Sequence, residues 1–321
     1  MPEPHISVLM PVFNTAKYLQ QALDSISGQT YDNFELVVID DGSADGSDQI
    51  LKSHAQKDSR MRLVLRENQG LIATRNELLC GARAELVAWM DSDDISLPQR
   101  LALQSAAFAE DPTLVCLGST AQCIDPDGHF LNIERYSLMH QEILLDQEKG
   151  GAMRFPTTMM RRDAAAQVGA FREPFKIGED FDLLLRLSEV GKMANLPETL
   201  YLYRQHVASV CAALGPHWAI YRDHILALAR ERRRDGKDKL QNGGELVIVA
   251  PQNFDRRRFE SATYCHWARS ALINENFPLA WKYSIAGIRA WSKSRAAWRT
   301  VARVFVTAAT AAFTRRRPRR S

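Results

Sequence analysis

Cysteine is scarce in this 321-residue chain, and the five present (Cys80, Cys116, Cys123, Cys211 and Cys265) are scattered without any C-x-x-C spacing. That pattern excludes a disulfide framework and a zinc ribbon. Reduced thiols in a cytoplasmic setting are the expectation. No apolar run reaches the roughly 20 residues that a membrane span needs. The first residues enter a strand pattern directly, without the basic and apolar regions of a secretory leader. Acids are missing from the last segment: from Arg289 onward there are ten Lys and Arg and no Asp or Glu. The basic run has neither aromatic interleaving nor a recognisable nucleic-acid module beside it, so no nucleic acid is expected as a partner. What is present, 45% hydrophobic and 25% charged residues, suits a soluble protein with ample core.

The first 95 residues repeat one unit. Ile6 to Val12, Phe34 to Ile39, Arg62 to Leu65 and Leu86 to Met90 are short apolar runs. Each is followed by a polar loop, and helical stripes such as Leu19, Ala22, Leu23 and Ile26 lie between them. Strands without alternation, separated by amphipathic helices, predict an α/β fold with a doubly wound sheet. Ligands of such sheets gather at the carboxyl ends of the strands. Two of those ends are acidic: Asp40 and Asp41, then Asp91, Ser92, Asp93 and Asp94. Alternating carboxylates on a tight turn can aim at one point and suit a hard divalent cation bound with substrate phosphates. Asp94, four residues before Pro98, reads as a helix cap.

The strings ISVLMPVFNTAKYLQQALDSISGQT, FELVVIDDGSADGS, NQGLIATRN and ELVAWMDSDD, in this order and spacing, resemble family 2 glycosyltransferases. The resemblance covers roughly residues 5–205. It implies a GT-A type mixed sheet with a Rossmann-like nucleotide-binding half, and an inverting sugar transfer from a nucleotide-sugar, a UDP-sugar by preference. It further implies that backbone around Pro11 and Phe13 lines the base. Asp40 or Asp41, with Asp41 the better candidate, accepts from the uracil N–H, for which an acceptor-only carboxylate is suited. The alternative for both is an Asx-turn. Arg75 is placed near the donor, or else is a surface ion pair. Asp93 is implied as the ligand of Mn²⁺ or Mg²⁺, with Asp91 beside it on metal, ribose or sugar. Glu179 and Asp180 match the family's E-D element, with Asp180 as catalytic base and Glu179 orienting the acceptor; alternatively both acids complement a helix dipole. Tyr203, Arg204, Gln205 and His206 resemble a Y-R-x-H element whose His206 would contact the diphosphate or the metal; the alternative is a structural histidine.

The rest is less diagnostic. Met159, Met160, Arg161 and Arg162 resemble a family segment flanking the acceptor side; alternatively, Thr157 to Met160 reads as an edge strand without substrate contact. Arg230 to Lys239 reads as a charged helix end or a solvated loop. The expected organisation is a catalytic domain over 1–212, a helical appendage over 213–296 and an amphipathic helix with polybasic tail over 297–321. Val301, Val304, Phe305, Ala308 and Ala312 share one helical face ahead of Arg315, Arg316, Arg317, Arg319 and Arg320. That combination fits peripheral contact with an anionic membrane, or a packed terminal helix with a solvated tail. The expected acceptor is a glycan or lipid-linked hydroxyl in cell-envelope, capsule or exopolysaccharide synthesis at the inner face of the cytoplasmic membrane. A nucleotidyltransferase competes, but lacks a Gly- and Lys-rich triphosphate loop and a role for Glu179 and Asp180. A non-catalytic sugar-nucleotide binding or assembly protein competes as well.

Overall fold

The run Phe34–Asp41 is buried at every position, which a strand achieves only when helices cover both of its faces. The computed structural model of the protein describes residues 3–207, 217–249 and 255–315, the side chains of 311–315 excepted. The chain divides into two compact units. The first takes Met1–Gln122, Ile133–Arg204 and His217–Ala250, and the second Cys123–Asn132, Gln205–Pro216 and Pro251–Ser321.

In the first unit β1 (Ile6–Val12), β2 (Phe34–Asp41), β3 (Met61–Arg66) and β4 (Leu86–Trp89) run parallel in the order β3-β2-β1-β4. Successive side chains of a strand point to opposite faces, and the core divides accordingly. Val8, Met10, Leu36, Val38, Leu86 and Ala88 pack with α1 (Ala16–Ser27), α2 (Ser47–Ala55) and α4 (Arg100–Glu110). Leu9, Val37, Ile39, Val87 and Trp89 pack with α3 (Leu71–Gly81), α6 (Arg162–Gln167) and α7 (Glu179–Ser188). Beyond β4 the sheet turns mixed. β8 (Met159–Arg161) lies antiparallel to β4 and to β6 (Leu114–Ile124), followed by β9 (Lys192–Arg204) and the short β5 (Ile95–Ser96). β8 is therefore an interior strand, not the edge strand expected for Thr157 to Met160. Thr157 and Thr158 are fully buried, and Thr157 Oγ1 accepts the Ser119 N–H. β3, whose Val64 and Leu65 are exposed, and the short β5 stand at the two ends of this order.

The charged stretch after residue 229 is not a solvated loop throughout. In α8 (Trp218–Asp235) Arg232 is buried and pairs with Glu189 and Asp238, while Asp182 and Asp238 both pair with Arg172. This network clamps α8 to α7.

The second unit holds α9 (Arg256–Ile273), α10 (Phe277–Ala290) and α11 (Arg295–Arg315). Asp255 and Asn276 cap the first two by accepting the N–H groups of Arg258 and Leu279. Trp267 and Tyr283 meet edge to face at 5.0 Å. Tyr283 donates its hydroxyl at 2.6 Å to the buried Asp125, whose other oxygen accepts the N–H groups of Asp127 and His129 in the turn before β7 (Phe130–Glu134). In α11 the apolar stripe expected for lipid faces inward instead. Ala297 and Val304 are buried, Val301 and Ala308 half-buried, and the helix packs on α9 and α10. Phe305 lies off that stripe and is exposed. Ala312 and all of the polybasic run from Arg315 fall outside the described side chains.

Candidate active site

The crevice at the carboxyl ends of β1, β2 and β4 is built by loops that are tied to one another. Val12 pairs in register with Asp40, so Pro11 and the exposed Phe13 flank the acidic tip of β2. After β1, Asn14 Oδ1 accepts the Ala44 N–H and the Ala16 N–H is held by Asp45 Oδ2. Thr15 Oγ1 donates to Ser92 Oγ at 2.9 Å, joining this loop to the one after β4.

Asp40 Oδ1 accepts the N–H of Ser43, three residues on, and so steadies the loop after β2. Asp41 is spent more fully. Its Oδ1 and Oδ2 accept the N–H groups of Gln69 and Gly70 at 2.9 and 2.8 Å, and Arg66 pairs with it at 3.0 Å. The carboxylate thereby anchors the loop between β3 and α3. Gly42 permits this close packing, because a Cβ there would sit 2.8 Å from the Asn68 nitrogen at a φ of +79°.

Beyond β4, single carboxylate oxygens of Asp91, Asp93 and Asp94 lie within 4.8 Å of one another. Asp94 does not cap a helix: α4 starts at Arg100 after Gln99. Its Oδ1 instead accepts the Arg204 N–H at 2.7 Å, and burial raises its carboxyl well above the usual range, with Asp93 and Asp91 adding to the effect. Asp91 keeps 30% of its side chain open at the crevice. Packing around its base nevertheless pushes its carboxyl up to about 6, against the pull of Arg75 and with the help of Asp93 and Asp180. Three carboxyls compressed this way, two of them held upward by burial, form a site that gains by acquiring a cation.

Glu179 and Asp180 open α7, placed there by Gly178 in the left-handed region at φ +76°. A Cβ on Gly178 would also lie 2.7 Å from the Trp218 ring. Asp180 is half-buried, and its Oδ1 accepts the Phe181 N–H. Glu179 is buried and receives the Arg75 guanidinium at 2.5 Å. The other arm of Arg75 stands 3.7 Å from Asp91. Arg75 is thus no surface ion pair. It is 6% exposed, enclosed by the rings of Trp89, Phe155 and Phe171 at 4.8 to 5.9 Å, and joins the loop after β4 to the start of α7.

Burial pushes the Glu179 carboxyl up to about 7; Arg75 opposes this, while Asp180 and Asp91 add to it. Its ordinary value is 4.5, so the folded chain holds the proton more tightly than the unfolded one. The contribution to stability is complete below about 4.5 and is lost as pH rises through about 7. Glu179→Gln is expected to flatten that part of the stability curve, read as Tm against pH. An unchanged pH profile would deny the raised value.

Several supporting residues escaped the sequence reading. Arg204 donates through Nε to the Asp93 carbonyl and through Nη2 to Gln21, fixing the loop after β4 from the end of β9. The fully buried Arg100 ties Trp89 to Thr158 through their carbonyls, and Tyr201 accepts the Asp91 N–H. Arg154, which acts on Asp91 electrostatically, is held bidentate by Glu134. These partners lie tens of residues away in sequence; only the Arg of the Y-R-x-H string carried a signal. His206 belongs to the second unit.

The family model for Glycosyl transferase family 2 matches residues 7–169, half of the chain. Among curated proteins, the chondroitin synthase of Pasteurella multocida (strain Pm70) is 28% identical over 199 residues. The match takes 62% of this chain and 20% of that enzyme, so the chain spans about a fifth of that relative. Among solved structures, S. aureus TarS 1-349 in complex with UDP-GlcNAc superposes with a TM-score of 0.56 at 19% identity, covering 94% of this chain and 92% of that one. The mannosyltransferase PcManGT from Pyrobaculum calidifontis, in complex with GDP-Man and Mn²⁺, gives 0.54 at 19%, covering 98% and 88%. At such identities these two establish a shared GT-A-like fold. The family match identifies the chain as a member of glycosyl transferase family 2.

Proposed function

We propose that the protein moves a sugar, with inversion, from a UDP-sugar to a hydroxyl of a glycan or lipid-linked acceptor. The observation that carries this reading is one linked cluster. Asp91 and Asp93 after β4, and Glu179 and Asp180 at the start of α7, are tied through Arg75. Asp93 and Asp91 would hold Mn²⁺ or Mg²⁺. When bound, such an ion neutralises charge on a departing diphosphate. The residues fit it: their oxygens converge, and the crowding of Asp91, Asp93 and Asp94 is relieved by a cation.

Asp180, the more open of the two acids on α7, is assigned as the base that takes the acceptor hydroxyl's proton as the new bond forms. Glu179, pinned by Arg75, orients the acceptor side. Pro11, Phe13 and Asp40 or Asp41 receive the nucleoside, Arg75 supports the donor end, and His206 is assigned to the diphosphate. Displacement opposite the leaving group needs no protein nucleophile. The product belongs to a cell-envelope, capsular or exopolysaccharide glycan assembled at the inner face of the cytoplasmic membrane, with peripheral membrane contact at the C-terminal end. No helix among the described residues is long and apolar enough to cross a membrane.

The test is thermal shift across a panel of nucleotide-sugars with and without Mn²⁺. Ligand that binds the native state alone raises its apparent stability. A metal-dependent shift with one UDP-sugar is the expected result; no shift with any member would remove the reading.

A further inference from the structure

With its Val304 stripe packed inward, α11 presents a second apolar face outward. At 3.6 residues per turn, Trp298, Ala302, Phe305, Val306 and Ala309 form a strip along the helix. All are exposed, Trp298 by 55%, Phe305 by 65% and Val306 by 61%. The indole N–H of Trp298 is already satisfied by the Ser292 carbonyl at 2.9 Å. The ring is therefore held in place with its apolar surface turned out and no polar group waiting for a partner. Arg295, Arg299 and Arg303 line one side of the strip, and all three are exposed. The second unit as a whole carries fifteen Lys and Arg against five Asp and Glu, with no acid after Glu275.

We infer that this outward face of α11 lies in the plane of an anionic lipid surface. Trp298 and Phe305 enter the headgroup boundary, and Arg295, Arg299 and Arg303 reach the lipid phosphates. The inference rests on the membrane-side location proposed above and corrects which residues make the contact. Charge decides the occupant. A strip of aromatic and small apolar residues beside arginines, in a unit with a large basic excess, matches an apolar layer beneath negative headgroups. Each basic residue near such a surface strengthens binding about fivefold. The inward stripe cannot serve this purpose, since Ala297 and Val304 already support α9 and α10.

The test is flotation of the full chain with vesicles of phosphatidylcholine alone and with about 30% phosphatidylglycerol, an anionic lipid. The wild type is expected to float with the anionic vesicles, to lose this in high salt, and to stay behind with the neutral ones. Trp298→Ser with Phe305→Ser, and separately Arg295→Gln with Arg299→Gln and Arg303→Gln, are each expected to weaken binding about tenfold or more, with an unchanged Tm. Donor-induced thermal shifts on the same samples separate this inference from the sugar-transfer reading, because neither set touches the crevice. Failure of the wild type to float would overturn the inference, as would undiminished flotation of the Trp298/Phe305 variant. A wild-type dimer that the same variant dissociates without lipid would also overturn it, by assigning the face to a second copy of the chain.

Discussion

Arg75→Leu is expected to destabilise the protein by about 3 to 5 kcal/mol at pH 8, the range for removing one partner of a buried ion pair. Arg75 and Glu179 keep 7% and 8% of their side-chain surface, so solvent screening does not erode this figure. The loss has three parts: the 2.5 Å contact with Glu179, the attraction to Asp91, and the packing of the guanidinium among Trp89, Phe155 and Phe171. The sign of its pH dependence follows from Glu179. Since that carboxyl already sits near 7, the variant answers the missing cation by holding a proton, and the destabilisation shrinks toward pH 6. Arg75→Lys keeps the charge but not the two-armed fork that reaches Glu179 and Asp91 together, and is expected to fall between. Urea midpoints at pH 6 and pH 8 check this. Equal midpoints for wild type and Arg75→Leu at pH 8 would mean that the pair does not hold α7 to the loop after β4. Because Arg75 is assigned to the donor end and also sets Glu179 against Asp91, transfer should suffer in both kcat and donor KM.

Much of this arrangement was legible from residues alone, for identifiable reasons. The runs Phe34–Asp41 and Leu86–Trp89 lack alternation because helices cover both faces, and continuous apolar character reveals that directly. Asp91 and Asp93, like Glu179 and Asp180, sit where a strand ends or a helix begins, boundaries that local pattern marks well. What local pattern cannot give is the direction in which a polar side chain turns. Asp94 reads as a cap, yet it serves the Arg204 N–H 110 residues away. Asp41 reads as a ligand for a base, and its two oxygens also accept the N–H groups of Gln69 and Gly70, contacts that no local pattern marks. Arg100 in an amphipathic helix is fully buried, since the carbonyls of Trp89 on β4 and of Thr158 just before β8 accept its guanidinium. In α11 two apolar sets, one through Val304 and one through Trp298 and Phe305, alternate around the same helix. Only packing against α9 and α10 decides which set is core.

Asp180→Asn is the change with the largest expected effect on chemistry. Asparagine keeps the shape and the capacity to accept the Phe181 N–H at the head of α7, so the fold and the loop after β4 should survive. It cannot take a proton from an acceptor hydroxyl. A positioned general base contributes about 10² to 10⁴ in rate, and that is the loss expected in kcat. Donor affinity, assigned above to Asp91, Asp93 and the tips of β1 and β2, should change by less than about threefold, well under the 1.4 kcal/mol that a tenfold effect represents. The most direct measurement of the account is therefore paired on one sample. Donor binding is measured by calorimetry with Mn²⁺, and sugar transfer by product formation, for wild type and Asp180→Asn. Retained binding with transfer reduced by two orders of magnitude or more is the predicted result. Transfer at the wild-type rate would contradict the assignment of Asp180 as the base, and with it the division of labour between the loop after β4 and the start of α7.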